Sequence, residues 1–472
     1  MSQLQAFLNV LQPNEINKLK KVRLIGKEKR VFDFIYSYRY KELPDVEMIC
    51  DEIGITTTHF YKICSVLMDK FYEELIPGRG YNLLFYLNRK DLYSHFTHEM
   101  LMQEKELLKS GASKSEIELF YSRCFELLQR VSAKNLDEDL ILSYGEKYLK
   151  SKNNKIEHDE YFVRNSYLAT KLYLLKATRK DIETSKEIFE ELTKTEAVLA
   201  NSKNIKAKFQ LNKAMSVYYN HSTGEPQKVI QYLNQNLKLI EANKAEFGEE
   251  ELALTKCKIA EMYYMDSDFD KSFSEYFTNF NLYREVLLND FYHHAKFAQV
   301  ALIVGKYDFA KEIIENRFNI FIESKQPGTG TMGSLLFAKY YLLTGEHATA
   351  NKYIQQAKKL ISKSFYIQYE FETRILENIY FILRDDVKQA KSLLKKNIKF
   401  MNSKGFNMKN SEMIYVFVLL QEILKPDFAE RRLNLRLQSK YDLLNKSYAA
   451  VYGKLLRIVM DSVKNESNLV TA

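Results

Sequence analysis

Three short segments carry residue types at spacings that could do chemistry. The first is MICDEIGITTTHFYKICSVL (48–67), where Cys50 precedes Gly54 by four residues and Ile53 and Ile55 flank the glycine. Phe60 and Ile63 follow at helical spacing. A helix-turn-helix needs these types: a small residue at the helix crossing, a glycine in the tight turn, and apolar residues that hold the second helix on the first. Thr56 is placed to cap that second helix through its hydroxyl. The exposed face would then present Thr57, Thr58, His59, Tyr61 and Lys62, with Ser65 beyond. Threonine hydroxyls and Lys62 suit phosphates, while His59 and Tyr61 suit base edges. The run Lys18, Lys20, Lys21, Arg23, Lys27, Lys29 and Arg30 could add backbone contacts. Against this, the second helix holds only Lys62 and Lys70 as bases, and Asp45, Glu47, Asp51 and Glu52 precede it. Phosphate neutralisation dominates nucleic-acid affinity. DNA contact and a structural or protein-docking role therefore both stay open.

The second segment, Pro327-Gly328-Thr329-Gly330-Thr331-Met332-Gly333, contains G-x-G-x-x-G ahead of a helical pattern. A dinucleotide site needs those glycines after a strand, and a P-loop needs a lysine that is absent. Since the preceding 306–325 reads as a helix, the expectation is a flexible inter-helix loop. The third is His95, His98 and Glu99, which share one helical face. No distant Cys/His cluster completes three or four ligands, so a solvated face is expected and no metal. His293 and His294 point about 100° apart on a helix, so one is expected to pack and the other to be solvated. Glu249-Glu250-Glu251 suits a helix start, where carboxylates complement the dipole. No Ser/His/Asp or Cys/His arrangement has local support, so neither enzymatic activity nor a cofactor is expected.

The elements that must position these residues are helices. Glycine (15) and proline (6) are scarce in 472 residues, which favours long helices with short connections over turn-rich sheets. Residues 27–40 place Val31, Phe32, Ile35 and Tyr38 on one face; a short helix follows Pro44, and a longer one runs from about Thr57 to Leu75. Pro77-Gly78-Arg79-Gly80 interrupts, and YNLLFYL within 78–87 is compatible with either a hairpin wing or a helix. From about 97, helical segments alternate with breaks at Gly111, Asn135, Asn153-Asn154, Lys180, Gly224 and Gly248. The 427–464 stretch reads as a long terminal cap with Arg431, Arg432, Arg436 and Lys440 beside an apolar stripe. The expected organisation is an N-terminal helical module over 1–96, connecting helices over 97–156, repeats over 157–426, and a cap and tail over 427–472.

Composition bounds the function. A hydrophobic fraction of 46% with 28% charged residues fits a folded chain, and a net charge of +9 permits nucleic-acid contact without implying it. Cys50, Cys64, Cys124 and Cys257 form no C-x-x-C, which suits reduced thiols. The opening MSQLQAFLNVLQPNEINKLKK lacks the order of a signal peptide, and no run approaches 18 charge-free apolar residues. A cytoplasmic location without a membrane partner is expected.

Internal similarity is clearest after residue 250. Residues 259–277, 297–318, 337–357 and, more loosely, 377–397 align. Small residues (Ala260, Ala298, Ala338) lie seven positions before a turn residue (Ser267, Gly305, Gly345). Two further on stand Phe269, Tyr307 and His347, then the small Ser272, Ala310 and Ala350, with Ala390 in the fourth copy. These last recur at intervals of 38, 40 and 40, and Ala429 follows after 39. Small residues let antiparallel helices approach, and a pair that buries one face must stack on neighbours. The segments G-K-Y-D-F-A-K (305–311) and A-K-Y-Y-L-L-T-G-E (338–346) resemble tetratricopeptide repeats, with looser pairs at 157–197 and 201–245. The period here is nearer 40 than the family's 34 or so, and the family's tryptophan and closing proline are missing. The resemblance implies an all-α solenoid whose first helices line a concave groove for a peptide or partner helix. Glu261, Tyr264, Gln299, Leu302, Lys339 and Leu342 would face that groove. The G-I-T-x-x-x-x-Y run (54–61) resembles the turn of bacterial repressors such as the tetracycline-repressor type, although the flanking chain does not resemble their ligand domain. The order of parts is similar to that of peptide-responsive regulators of Gram-positive bacteria. The expected function is a non-enzymatic interaction scaffold; the alternative is a transcription regulator with its helix-turn-helix at 45–70.

Overall fold

The structure, a computed structural model, describes residues 3–470 apart from 12, 40–42, 79, 91, 130–136, 153–155, 179–181, 288–289, 324–327, 362–366, 404–411, 426–427, 429–434 and 448. Arg79, Asn135, Asn153, Asn154, Lys180, Pro327, Ala429, Arg431 and Arg432, singled out in the sequence, lie outside the described residues. Among the described residues the chain is all-helical, and it divides into two compact units, 1–247 and 248–472.

The first unit contains α1 (Gln3–Val10), α2 (Pro13–Leu19), α3 (Lys27–Ser37), α4 (Val46–Ile53), α5 (Thr57–Leu75), α6 (Tyr81–Arg89), α7 (Tyr93–Lys109), α8 (Lys114–Leu128), α9 (Glu138–Ser151), α10 (Asp159–Thr178), α11 (Ile182–Leu199), α12 (Ile205–Tyr218) and α13 (Pro226–Ala242). The expected boundary after residue 96 separates no cores: one apolar core runs from Leu4 to Val163. It is continuous because α8 and α9 add Tyr121, Cys124, Phe125 and Tyr144 to the core that Phe60, Leu67 and Phe71 build from α5. The wing considered for 78–87 is instead helix α6. Leu83, Leu84 and Leu87 are all buried, a helical spacing that strand alternation cannot satisfy. Glu104 ties α7 to its neighbours, accepting from Tyr121 Oη at 2.9 Å, Tyr144 Oη at 2.6 Å and Lys147 Nζ at 2.7 Å. Three donors satisfy a carboxylate that would otherwise be costly to bury.

The second unit contains α14 (Glu249–Met265), α15 (Phe269–Thr278), α16 (Phe280–Val286), α17 (Phe291–Ile303), α18 (Tyr307–Glu323), α19 (Thr329–Leu343), α20 (His347–Ile361), α21 (Ile367–Leu383), α22 (Val387–Ser403), α23 (Glu412–Ile423), α24 (Leu435–Asn445) and α25 (Ala450–Val470). Neighbouring helices pack in sequence: α14 on α15, α17 on α18, α19 on α20 and α21 on α22. Each of these pairs turns through one residue with positive φ: Ser267 (64°), Gly305 (80°), Gly345 (82°) and Asp385 (56°). The amide after each turn residue donates back five positions, Asp268 to Tyr263, Lys306 to Ala301, Glu346 to Tyr341 and Asp386 to Phe381. This bond closes a helix whose last carbonyls would otherwise lack donors. The small residues are buried at the recurring positions. Ala260, Ala298, Ala338, Ala310, Ala350 and Ala390 are fully buried, and Ser272 Oγ donates to Ala260 O at 2.7 Å.

The G-x-G-x-x-G stretch is not a loop. Gly330 and Gly333 sit inside α19, where a Cβ would come within 2.7 Å of Phe321 O and 2.5 Å of Phe318 Cβ. Glycine at both positions lets α19 lie against α18, which gives these glycines a packing role. The 427–464 region is likewise not one long helix, because α24 and α25 are separate and α25 packs across α17, α19, α21 and α23.

The recurring turn yields a prediction. Gly345→Ala forces a Cβ into the left-handed region and lowers stability by about 1–2 kcal/mol, whereas Asp385→Gly relieves that strain and raises it by up to about 1 kcal/mol. Urea denaturation of both variants checks this. A destabilised Asp385→Gly would mean the aspartate stabilises its turn in some other way.

Candidate functional site

Two places gather the residues singled out in the sequence. In the second unit, polar side chains from α14, α17, α19 and α21 make a run of contacts, and α25 packs on the last three of these helices. Glu261 accepts from Lys258 Nζ at 2.6 Å and from Tyr292 Oη at 2.7 Å, and Gln299 Nε2 donates to Tyr264 Oη at 3.0 Å. Lys339 Nζ donates to Glu372 Oε2 at 2.6 Å, and Tyr452 of α25 donates to the same oxygen at 2.9 Å. Lys339 also stands 5.2 Å from the centre of the Tyr452 ring. Lys296 lies between the two halves, 5.0 Å from the Tyr264 ring centre and 5.3 Å from that of Tyr292.

Four of the six positions assigned to a groove belong to this network: Glu261, Tyr264, Gln299 and Lys339. Leu302 and Leu342 do not line a surface; both are fully buried in the apolar core. Glu261, Tyr264 and Lys339 are buried as well, and Gln299 is half-buried. Tyr292, Lys296, Glu372 and Tyr452 escape a reading of the sequence because each comes from a helix that only folding brings near. One local signal points to them: Lys339 is the sole charge in α19, and a lone ammonium on an otherwise uncharged helix must find a counter-charge.

The electrostatics follow from burial. Burial pushes the Glu261 carboxyl up, but the Lys258 charge and hydrogen bond, with His293 and Tyr292, outweigh it and hold Glu261 at about 2. Burial pushes the Lys296 ammonium down despite the attraction of Glu261. His294 is buried, its Nε2 3.1 Å from Leu287 O, and burial with Arg317 nearby holds it at about 4. His293 is not solvated either: only 12% of its side chain is exposed and its Nδ1 is buried without a partner among the described residues.

On the covering helix, Ala450, Val451, Tyr452, Leu455, Leu456 and Val459 are buried. Ser267 Oγ, at the first of the four recurring turns, donates to Lys446 O at 2.6 Å and anchors the connection into α25.

The second place is the α4–α5 corner of the first unit. Gly54 closes α4 in the left-handed conformation (φ 71°), and Thr56 caps α5 by accepting from His59 N at 3.3 Å. Cys50, Ile53, Phe60 and Ile63 are buried at the crossing. Thr57, Thr58, His59, Tyr61, Lys62 and Ser65 are all exposed on α5. Lys70 is engaged elsewhere, paired with Glu28 at 2.7 Å, which leaves Lys62 as the one lysine that α5 itself presents there. His95 is no part of a metal site: it is buried, with Nδ1 2.7 Å from Tyr72 Oη and Nε2 3.2 Å from Gln3 O. Among the described residues no group of three His, Cys, Asp or Glu could hold a metal, and no helix is long and apolar enough to cross a membrane.

No protein-family model matches the chain, and no curated protein matches it.

Because the folded carboxyl of Glu261 lies below its ordinary value of 4.5, its contribution is present above that value and is lost as pH falls toward about 2. Glu261→Gln is therefore expected to be less stable than the parent by about 3 kcal/mol at pH 7, with the gap closing as pH falls below about 4.5. Chemical denaturation at stepped pH measures the gap; a constant deficit would mean that packing, not charge, is what glutamine disturbs.

Proposed function

We propose that the chain is a non-enzymatic interaction scaffold, a tetratricopeptide-like α-solenoid that takes an amphipathic helix or peptide of a protein partner on the face formed by its first helices. The observation that carries this reading is α25. That face already holds an amphipathic helix in cis, through apolar side chains and the Tyr452–Glu372 hydrogen bond. Helix-in-groove recognition uses the same ingredients, with anchors at helical spacing and a few fixed polar groups. A partner would compete with α25, whose tether gives it an effective concentration on the order of millimolar. The four cysteines are free thiols, which suits a cytoplasmic location.

The test supplies the occupant in trans. A labelled peptide spanning 449–463 is titrated against the full chain and against a Leu455→Asp, Leu456→Asp variant, in which α25 is loosened. Binding at least tenfold tighter to the variant is expected, because the parent's face is filled. Tyr452→Phe, which removes only the hydroxyl, is a milder second variant and should give an intermediate gain. No binding to either variant would sink the reading.

A second reading, DNA binding by residues 45–70, rests on the capped turn and the exposed Thr57, Thr58, His59, Tyr61 and Lys62. On that reading the chain would be a transcription regulator with the helical array as its sensing part. Mixed-sequence duplex DNA, titrated across a salt series, should bind with an affinity that falls as salt rises and that drops at least fivefold with Lys62→Glu, Tyr61→Ala. Salt-insensitive binding, or an unchanged double variant, removes DNA from the account.

A further inference from the structure

A different surface of the second unit carries the most one-sided charge on a described helix. Helix α22, VKQAKSLLKKNIKFMNS, contains Lys388, Lys391, Lys395, Lys396 and Lys399 and no acidic residue. Ala390, Leu394 and Asn397 are its buried positions. Lys391, Lys395 and Lys399 each follow a buried or half-buried position and so form a row along one edge of the helix, about 12 Å long at 1.5 Å per residue. All three are exposed, and none has a carboxylate within 4 Å among the described residues. Like charges four residues apart destabilise a helix by some tenths of a kcal/mol per pair. Among the described residues no carboxylate offsets this cost.

The row borders a groove of about 390 Å³ lined by Lys391, Leu394, Lys395, Ile398, Lys399, Gln421 and Leu424. Its floor is apolar, with Leu394 and Leu424 buried and Ile398 half-buried, and Gln421 on α23 forms the far wall. An occupant must satisfy both parts: apolar side chains for the floor and negative charge at a spacing of about 6 Å for the lysines. A helix with carboxylates at i, i+4 and i+8 has that spacing. A phosphodiester backbone would match the lysines but leave the floor unfilled, and the groove offers no arginine or aromatic ring to a base.

We propose that the α22–α23 groove docks an acidic amphipathic helix of a protein partner, with its apolar stripe on Leu394, Ile398 and Leu424 and its carboxylates on Lys391, Lys395 and Lys399. Helix α22, which carries the lysines, is not among the helices that α25 packs across, although α23 belongs to both surfaces. The probe is a fluorescein-labelled designed helix with glutamates at i, i+4 and i+8 beside a leucine stripe, titrated against the full chain by anisotropy. Binding should weaken at least fivefold from 50 to 300 mM salt, and at least tenfold with Lys391→Glu, Lys395→Glu, Lys399→Glu. Replacing the peptide's leucines by serine, with its charges kept, should also cost at least tenfold. A control reversal of three other exposed lysines, Lys203, Lys238 and Lys244, should change affinity less than twofold. If the triple reversal impairs folding by circular dichroism, the neutral Lys391→Gln, Lys395→Gln, Lys399→Gln set replaces it, with the same loss expected. The proposal is overturned if neither triple weakens binding, or if the serine peptide binds as well as the leucine one. It is also overturned if duplex DNA or phosphatidylserine vesicles, rather than the peptide, bind in a lysine-dependent way.

Discussion

Three helix pairs in residues 248–472 each bury, on both of their helices, a residue no larger than alanine or serine at a fixed offset from the turn, and the rest of the unit is arranged around those positions. Ala260 and Ser272, Ala298 and Ala310, and Ala338 and Ala350 recur with the same offset from a left-handed turn residue, and Ser272 Oγ donates to Ala260 O. Small residues allow the two helices to approach, and the turn fixes the direction of the second. A pair built this way buries one face only, so the next pair must cover the other, and the apolar core runs on from α14 to α25 without a break. Glycine occupies two of the four turns but is not required at all of them. Ser267 and Asp385 take the same conformation, and the same backbone hydrogen bond closes the helix before each.

Close packing also explains the polar network. Glu261, Lys339 and Glu372 are buried on the face made by consecutive first helices, so each charge must be answered nearby. Lys258 answers Glu261, and Lys339 answers Glu372. The Tyr452 hydroxyl supplies Glu372 with a further donor, so the covering helix helps neutralise the face and is not only an apolar lid. Replacing such pairs by apolar residues often leaves stability unchanged.

The two units solve burial differently. In the first, single carboxylates such as Glu104 are surrounded by donors from several helices, a closed arrangement with nothing left to offer a ligand. In the second, charge is left over at the surface, on the lysine row of α22. Lys296, by contrast, is answered by Glu261 and Glu372 and by the rings of Tyr264 and Tyr292. An unanswered cation is where a partner can gain more than it loses, and the α22 row offers three. The α4–α5 corner has the opposite character: its geometry is well made, while its charge is reduced because Glu28 holds Lys70.

The sequence by itself determined the helical class, the turn at Gly54 with its Thr56 cap, the exposed face of α5, and the recurring small residues with the turns between them. Each of these depends on neighbours within a few residues, where backbone sterics and helical periodicity decide the outcome. What it could not determine is which helix would cover which. YNLLFYL resolved as a helix because three leucines had a core to face. Gly330 and Gly333 turned out to be contact points for Phe318 and Phe321, a helix away. Leu302 and Leu342 went to the core, Glu261 was placed against Tyr292 of another helix, and Lys339 was placed where a helix more than a hundred residues later meets it. No local pattern records such meetings, because burial is a property of the assembled surface and a residue's face means nothing until its partner has been placed.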